Sequence, residues 1–286
     1  MTDRYAVIGH PVAHSRSPRI HALFAQSVGH AIEYGLILGE PRHFREAVDR
    51  FRAAGGRGVN VTVPFKLDAF ELASERTGRA TQAGAVNTLA FDGARVIGDN
   101  TDGAGLVRDI VRNRGFAIAG KRVLLMGAGG AARGVVLPLL DEQPASLAIA
   151  NRTAAKAQAL AERFATHVIG VRGGGYDAFA SERFDLVINA TSASLARQLP
   201  ALPEHAFAPE ALAYDMVYGE AARPFLMHAL GLGASAAADG LGMLVEQAAE
   251  SFWLWRGVRP PTAPVLERLR ADLARAAGSS TDQKIP

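Results

Sequence analysis

Val59-Asn60-Val61-Thr62-Val63-Pro64-Phe65-Lys66 decides how the chain is read. Apolar and polar residues alternate with period two, as along a strand. Val59, Val61 and Val63 are expected on one side, Asn60 and Thr62 on the other. Pro64 halts a strand and suits the first turn of a helix, here expected to run from about Phe65 to Ser74. Lys66 therefore stands at a helix start, beside two polar side chains at the end of a strand. A cation there opposes the helix dipole and costs about a few tenths of a kcal/mol. An arbitrary lysine is a solvated surface group, but ligands of open α/β sheets bind at the carboxyl ends of strands. Lys66 is accordingly expected to be a proton-transfer group in a polar cleft.

Toward the N-terminus, Tyr5 to Ile8 has strand character and Gly9-His10-Pro11 turns the chain. In His14-Ser15-Arg16-Ser17-Pro18, Ser17 fits an N-cap and Pro18 the first helical position. Ile20, Leu23, Phe24 and Val28 follow at helical spacing, and Gly29 can end that helix. Ser15 is not needed for capping. Two hydroxyls beside the free N–H groups of a helix start form a site for a carboxylate or phosphate, a role that weighs about evenly against simple capping. Ala31 to Leu38 is expected to be a second strand and Pro41 to Ala54 a helix, ended by Gly55-Gly56. Strand and helix thus alternate three times, the pattern of an α/β sheet with mainly parallel strands.

Toward the C-terminus, Ala83 to Leu89 leads to Asp92-Gly93 and Arg95-Val96-Ile97-Gly98, a hairpin signal that makes Asn87 its notable polar residue. Asn87 is as readily a satisfied surface amide as a binding group. Asp99-Asn100-Thr101-Asp102 lies between Gly98 and Gly103, ahead of a helix with Leu106, Val107, Ile110 and Val111 on one face. An aspartate there ordinarily caps or complements the dipole, yet such a polar run between glycines is also typical of a functional loop.

Val123 to Met126 is a short buried strand, and Gly127-Ala128-Gly129-Gly130-Ala131-Ala132 opens an apolar helix through Leu140. This is a GxGxxA dinucleotide fingerprint in its strand–turn–helix setting. Leu147 to Ala150 then ends in Asn151-Arg152-Thr153, with Lys156 one turn on. An NAD site usually has a carboxylate here for the ribose hydroxyls. A guanidinium instead binds a 2′-phosphate, so NADP(H) is the expected cofactor. Phe184 to Ile188 enters Asn189-Ala190-Thr191-Ser192 at another strand end. Ala213 to Tyr218 repeats the pattern, with Tyr218 either reaching the cleft or packing. A long helix starts near Asp239-Gly240-Leu241-Gly242-Met243 and reaches about Trp255, with Leu244, Ala248, Phe252 and Trp255 as its buried stripe. Gln247 lies near that stripe, although its type defaults to the solvent edge. Beyond Ala277 the residues are small and polar, and fraying is expected.

The 286 residues suffice for two domains. With 49% hydrophobic and 21% charged residues the chain is globular. Its net charge of +3 is spread without a lysine–arginine block, which favours anionic small molecules over nucleic acid. There are no cysteines, and the eight histidines form no ligand pair, so no metal site is expected. No apolar run approaches a membrane span and no signal-peptide layout occurs, so a cytoplasmic address is expected. The pattern is compatible with a monomer or a homodimer.

Taken in order, the stretches Val7 to Pro18, Gly58 to Lys66, Ala83 to Leu89, Gly98 to Gly103, Gly127 to Ala132, Asn151 to Thr153 and Asp239 to Gln247 resemble the shikimate dehydrogenase family over nearly the whole length. The resemblance implies reversible reduction of 3-dehydroshikimate with NADPH, in aromatic amino-acid biosynthesis. It implies two α/β domains with a cleft between them. One is a mostly parallel open-sheet substrate domain of residues 1–102 and 240–286, the other a Rossmann-type NADP domain of residues 103–239. Lys66 and Asp102 match the family's catalytic pair. Ser15 and Ser17 match its carboxylate-binding serines, and Asn60, Thr62, Asn87 and Gln247 its hydroxyl-binding set, to which Tyr218 is added. Gly127, Ala128, Gly129, Gly130, Ala131, Asn151, Arg152, Thr153, Lys156, Thr191, Gly240 and Met243 are expected on the cofactor. The chain departs from the family pattern at His10, at Ala193-Ser194-Leu195 and at Arg223, all expected on the cleft's rim or cofactor side. Three other readings stand beside this one, of which a folate-linked dehydrogenase of related two-domain shape is opposed by the paired serines and Asn60-Val61-Thr62. Asn151-Arg152-Thr153 argues against a quinate/shikimate dehydrogenase using NAD, and Lys66 with Asp102 argues against a relative that binds without turnover.

Overall fold

The computed structural model of the chain describes residues 2–194, 196 and 198–281, with only the backbone for 276–281. The first part runs β1 (Asp3–Gly9), α1 (Ser17–Ser27), β2 (Ile32–Leu38), α2 (Phe44–Ala53), β3 (Gly56–Val61), α3 (Lys66–Leu72), β4 (Glu75–Arg76), α4 (Gly78–Ala83), β5 (Thr88–Asp92) and β6 (Arg95–Asp99). Next come α5 (Asp102–Arg108), β7 (Arg122–Met126), α6 (Gly130–Asp141), β8 (Ser146–Ala150), α7 (Ala154–Glu162), β9 (Val171–Gly174), β10 (Phe184–Asn189) and β11 (Phe207–Asp215). The last elements are α8 (Arg223–Gly231), β12 (Ala236–Ala238), α9 (Leu241–Arg256) and α10 (Ala263–Thr281).

The first sheet has the order β2-β1-β3-β5-β6-β4. Helical crossovers join its first three strands, so β1 pairs in parallel with β2 and β3. The Asp92-Gly93 signal delivers the expected hairpin, closed by the Asp92–Arg95 pair, and β5 runs antiparallel to both β6 and β3. β4 lies parallel to β6, so three of the five pairings are parallel. Ala6, Ile8, Val59, Val61 and Leu89 face Phe44, Val48 and Phe65 in one core.

Four local expectations are corrected. Val63 does not share the buried face of Val59 and Val61, because β3 ends at Val61 and Val63 is 47% exposed. The helix after Pro64 is shorter than expected, since Ala73 is already extended. Ser17 is not the N-cap of α1: Arg16 holds that position without a side-chain cap, and Ser17 is the first helical residue. α10 continues through Thr281 past the point where fraying was expected, and residues 282–286 lie outside the described residues.

The second sheet has the order β12-β11-β10-β7-β8-β9, every pairing parallel. This is the doubly wound arrangement, with its switch point between β7 and β10 and a ligand crevice at the strand ends there. Val123, Leu125, Leu147, Ile149, Leu186 and Ile188 pack beneath Val135, Val136 and Leu139 of α6.

Two helices join the halves. α5 starts where β6 of the first sheet ends. α9 starts after β12 of the second sheet and returns, packing Val245, Ala248 and Phe252 against Ile20 and Phe24 of α1 and Val265, Leu266 and Leu269 of α10. Arg79 holds α9 to the first sheet. Its guanidinium donates to both oxygens of Asp99 at 2.6 and 2.7 Å and to Glu250 at 3.2 Å, the bidentate geometry that orients as well as attracts. At the start of α9, Gly242 lies against the buried Asp109 carboxylate, and a Cβ there would fall 1.9 Å from Asp109 Oδ1. Only glycine permits that approach.

Candidate active site

Lys66 begins α3, and its backbone carbonyl accepts from Val86 N at 2.9 Å, which ties the helix start to the segment carrying Asn87. Its ammonium donates to Asp102 Oδ2. The two side chains are 14% and 6% exposed, so the pair is largely shielded from water and its attraction is little screened. Of three ammonium protons one is committed, which leaves Lys66 two donors.

Around Asp102 the structure gathers a polar cluster from distant parts of the chain. Asn87 Nδ2 lies 2.9 Å from Asp102 Oδ1, 2.8 Å from Thr101 Oγ1 and 3.2 Å from Gln247 Oε1. Thr101 N donates to Asn87 Oδ1 at 2.9 Å. Asn60 Nδ2 donates to Ser251 Oγ at 2.9 Å and Thr88 Oγ1 at 3.1 Å, while its Oδ1 accepts from the Tyr34 hydroxyl at 2.7 Å. Asn60, Asn87, Thr88, Thr101, Asp102 and Ser251 are all buried. Gln247 is therefore no solvent-edge glutamine. Burying this many polar groups is tolerable only because each finds a partner.

Ser15 Oγ donates to Ser17 Oγ at 3.1 Å and accepts from Ser17 N at 3.2 Å, so the two hydroxyls stand together at the start of α1. With Ser17 relieved of capping, both remain available to an anion. Tyr218, which follows β11, packs against the core around Ile20 and lies beside Arg16. It thus reaches from the second half to the serine loop, and burial raises its phenol above the usual range. Thr62 follows β3 directly, and its hydroxyl makes no hydrogen bond among the described residues.

The dinucleotide turn faces this cluster. A Cβ on Gly130 would lie 3.4 Å from Lys66 Cβ. Gly127 has φ of +114°, and a Cβ there would approach the Ala190 carbonyl to 3.0 Å, so the turn requires glycine. Above Gly129 nothing lies within 4 Å of the Cβ position, leaving the N-terminus of α6 open to a pyrophosphate. Ala128 is buried beneath the turn and Ala131 is partly exposed in the first turn of α6. Thr191 closes the far side, its hydroxyl donating to Asn189 Oδ1 at 2.7 Å. At the end of β8, Asn151 Nδ2 donates to the Thr153 carbonyl at 3.0 Å. Arg152 and Lys156 are exposed, with no acidic partner among the described residues. Unpaired cations beside an open helix N-terminus, with no carboxylate between them, fit a dinucleotide carrying a 2′-phosphate. Gly240 caps α9 against the Met216 carbonyl, and Met243 is packed in the core of the second sheet.

The three departures from the family pattern also have places. His10 Nδ1 lies 2.9 Å from the Gly39 carbonyl. Ser194 is buried and donates to Asp215 Oδ2 at 2.6 Å, whereas Leu195 lies outside the described residues. Arg223 is exposed and pairs loosely with Glu220 at 3.7 Å. Sequence reasoning missed Tyr34, Thr88 and Ser251, and gave Thr101 only as part of a polar loop. The signal was present for two of the three, as Thr88 adjoins Asn87 and Ser251 lies one helical turn beyond Gln247.

Among the described residues no group of three or more His, Asp or Glu side chains could hold a metal ion, and no helix is long and apolar enough to cross a membrane. The family model described as the shikimate dehydrogenase substrate binding domain matches residues 7–89. The shikimate / quinate 5-dehydrogenase model matches residues 109–206, and the shikimate 5′-dehydrogenase C-terminal domain matches residues 240–270. The chain is 58% identical over 273 residues to shikimate dehydrogenase (NADP(+)) of Dechloromonas aromatica, covering 96% of this chain and 99% of the relative. It is likewise 58% identical over 273 residues to the enzyme of that name from Aromatoleum aromaticum, covering 95% and 98%. The structure of shikimate 5-dehydrogenase from Thermus thermophilus in complex with NADP(H) and shikimate matches with a TM-score of 0.82 at 34% identity, covering 94% of this chain and 99% of that one. With matches in both halves and relatives this similar over nearly the full length, the chain belongs to the shikimate dehydrogenase family.

Proposed function

We infer that the chain is an NADP-dependent shikimate dehydrogenase that interconverts 3-dehydroshikimate and shikimate. The observation that carries this reading is the shielded Lys66–Asp102 pair lying against the dinucleotide turn at Gly130. A nicotinamide cofactor bound in that crevice supplies the hydride for ketone reduction and takes it up in the reverse direction. Lys66 gives a proton to the substrate oxygen as that oxygen gains negative charge, and recovers it in the oxidation of shikimate. Asp102 accepts from Lys66 and holds the ammonium toward the cleft, while its other oxygen is fixed by Asn87. Positioned proton transfer of this kind is worth about 10²–10⁴-fold in rate.

Ser15 and Ser17 supply hydroxyl donors for the substrate carboxylate, and Tyr218 closes over that end. Asn60, Thr62, Asn87 and Gln247 read the ring hydroxyls. Gly127, Ala128, Gly129, Gly130 and Ala131 admit the pyrophosphate. Asn151, Arg152, Thr153 and Lys156 hold the 2′-phosphate, while Thr191, Gly240 and Met243 border the nicotinamide half. Residues 1–102 with 240–286 form the substrate domain and residues 103–239 the NADP domain. The return of α9 to the first sheet supports that division. The enzyme works in the cytoplasm as a monomer or homodimer, without nucleic acid or membrane.

The test is NADPH consumption with 3-dehydroshikimate, wild type beside Lys66→Ala, with quinate as an alternative substrate. Lys66→Ala is expected to lose at least about 10² in turnover. A loss below tenfold at unchanged substrate affinity removes Lys66 from proton transfer, and preferential turnover of quinate reassigns the substrate.

A further inference from the structure

The hydrogen bonds around Asp102 have directions as well as lengths. Asp102, paired with the Lys66 ammonium, can only accept. Asn87 must therefore turn its NH₂ toward Asp102, at 2.9 Å, which leaves Asn87 Oδ1 on the opposite side as an acceptor. Thr88 Oγ1 stands 3.0 Å from that oxygen and 2.8 Å from Ser251 Oγ, which spends its own proton on the Gln247 carbonyl at 3.1 Å, so the single Thr88 proton goes to one of these two acceptors. Having spent that proton, Thr88 can only accept from Asn60 Nδ2 at 3.1 Å. Asn60 Oδ1 thus points away, where the Tyr34 hydroxyl reaches it at 2.7 Å. Tyr34 must then be the donor. Burial raises its phenol well above the usual range, so the proton is present throughout the working pH range.

We propose that Tyr34 is a positioning residue for the reaction assigned above. It heads a run Tyr34→Asn60→Thr88 that locks the Asn60 amide in the orientation that reads a substrate hydroxyl, while Asn87 is held independently by the Thr101 backbone N–H and Asp102. The inference rests on the proposed function. Asn60 and Asn87 are symmetric in shape, and only their hydrogen bonds decide which end carries NH₂. Tyr34 is the only hydrogen-bond donor to Asn60 Oδ1 among the described residues, whereas the Thr88 and Ser251 hydroxyls beside Asn60 Nδ2 can rotate to donate to an oxygen once their present acceptors are given up. Removing the phenolic proton makes the flipped amide nearly as good as the native one. Tyr34 also adjoins Ser17, whose hydroxyl lies beside its own, so one side chain sets both the carboxylate end and the hydroxyl end of the site. Its ring is held flat against His21, with centroids 4.3 Å apart and planes 7° from parallel.

The experiment compares Tyr34→Phe, Thr88→Val and Thr88→Ser with wild type in steady-state oxidation of shikimate by NADP⁺, with thermal melts alongside. Tyr34→Phe is expected to raise KM for shikimate about tenfold, with kcat within about threefold and KM for NADP⁺ unchanged. That size corresponds to losing one net hydrogen-bond contribution. Thr88→Val should do the same and Thr88→Ser should restore wild-type KM, because only the hydroxyl is required. A merely structural role lowers the melting temperature and moves all constants together. A folded Tyr34→Phe with wild-type KM for shikimate overturns the proposal. If Tyr34→Phe does not fold, equal KM values for the two Thr88 variants overturn it instead. No wild-type turnover of shikimate overturns the functional reading, and this inference falls with it.

Discussion

His21 should make the protein measurably acid-labile, by an amount the structure lets one calculate. The ring lies one turn after Ser17 on α1, is fully buried, and packs among Tyr34, Phe24, Phe252 and Trp255. Neither ring nitrogen has a hydrogen-bond partner among the described residues. Burial pushes its pKa from 6.5 down to about 3, and the neighbouring Asn60 side chain offsets only a small part of the cost of charging the ring. The depressed value means that the unfolded chain binds a proton which the folded chain refuses. The His21 contribution to stability is therefore level above about pH 6.5, falls as the pH drops below it, and stops falling near pH 3. At pH 5.0 the penalty is about 1.5 pH units times 1.4 kcal/mol, or roughly 2 kcal/mol. The assay is urea unfolding of wild type and His21→Phe at pH 7.5 and pH 5.0. Phenylalanine keeps the stacking and removes both unpaired nitrogens, so the two proteins should differ by less than about 1 kcal/mol at pH 7.5. Every other titrating group is common to both proteins. Wild type should therefore lose about 2 kcal/mol more than the variant on acidification. Equal losses would mean that the ring protonates in place, and the reasoning from burial would be wrong.

Two other expectations bear on the cofactor half and the junction. Arg152→Gln should reduce kcat/KM for NADPH by about tenfold to a hundredfold, the scale of one charge-assisted contact, and leave NADH almost untouched. Equal efficiency of the two cofactors with wild type would refute the 2′-phosphate assignment. Gly242→Ala places a methyl group on the Asp109 carboxylate, which is fixed by Tyr214 at 2.7 Å and Asn113 at 2.9 Å. Its unfolding free energy should fall by about 1–3 kcal/mol, and a loss below about 0.5 kcal/mol would show that α9 shifts freely.

Much of the architecture was legible because it is written locally. Arg122 to Asp141 carries strand, tight turn and helix in one continuous pattern, and Asp92-Gly93 contains its own reversal. Lys66 was legible because a lysine at a helix start after a strand end is locally unfavourable and asks for a reason. The antiparallel docking of β5 on β3 was not legible, since alternation reveals which face a residue takes and not which strand lies beside it. For the same reason residue type alone points Gln247 to the solvent edge, and only the family resemblance places it among the hydroxyl-binding residues. Its partners Asn87 and Thr101 are 160 and 146 residues away. The capping role weighed against anion binding at Ser17 fails because the residue type is right for a cap but Arg16 holds that backbone position instead.

The path of α9 sets when the protein becomes competent during synthesis. Asn60 and Asn87 emerge from the ribosome early, but Ser251 and Gln247, which complete their shell, follow only after the whole nucleotide-binding half has been made. Until then an amide in the first half must borrow solvent where a serine or glutamine will later stand. The nascent chain thus carries a recognisable sheet with an unfinished pocket, and translation itself delays the first turnover until both ligands have somewhere to bind.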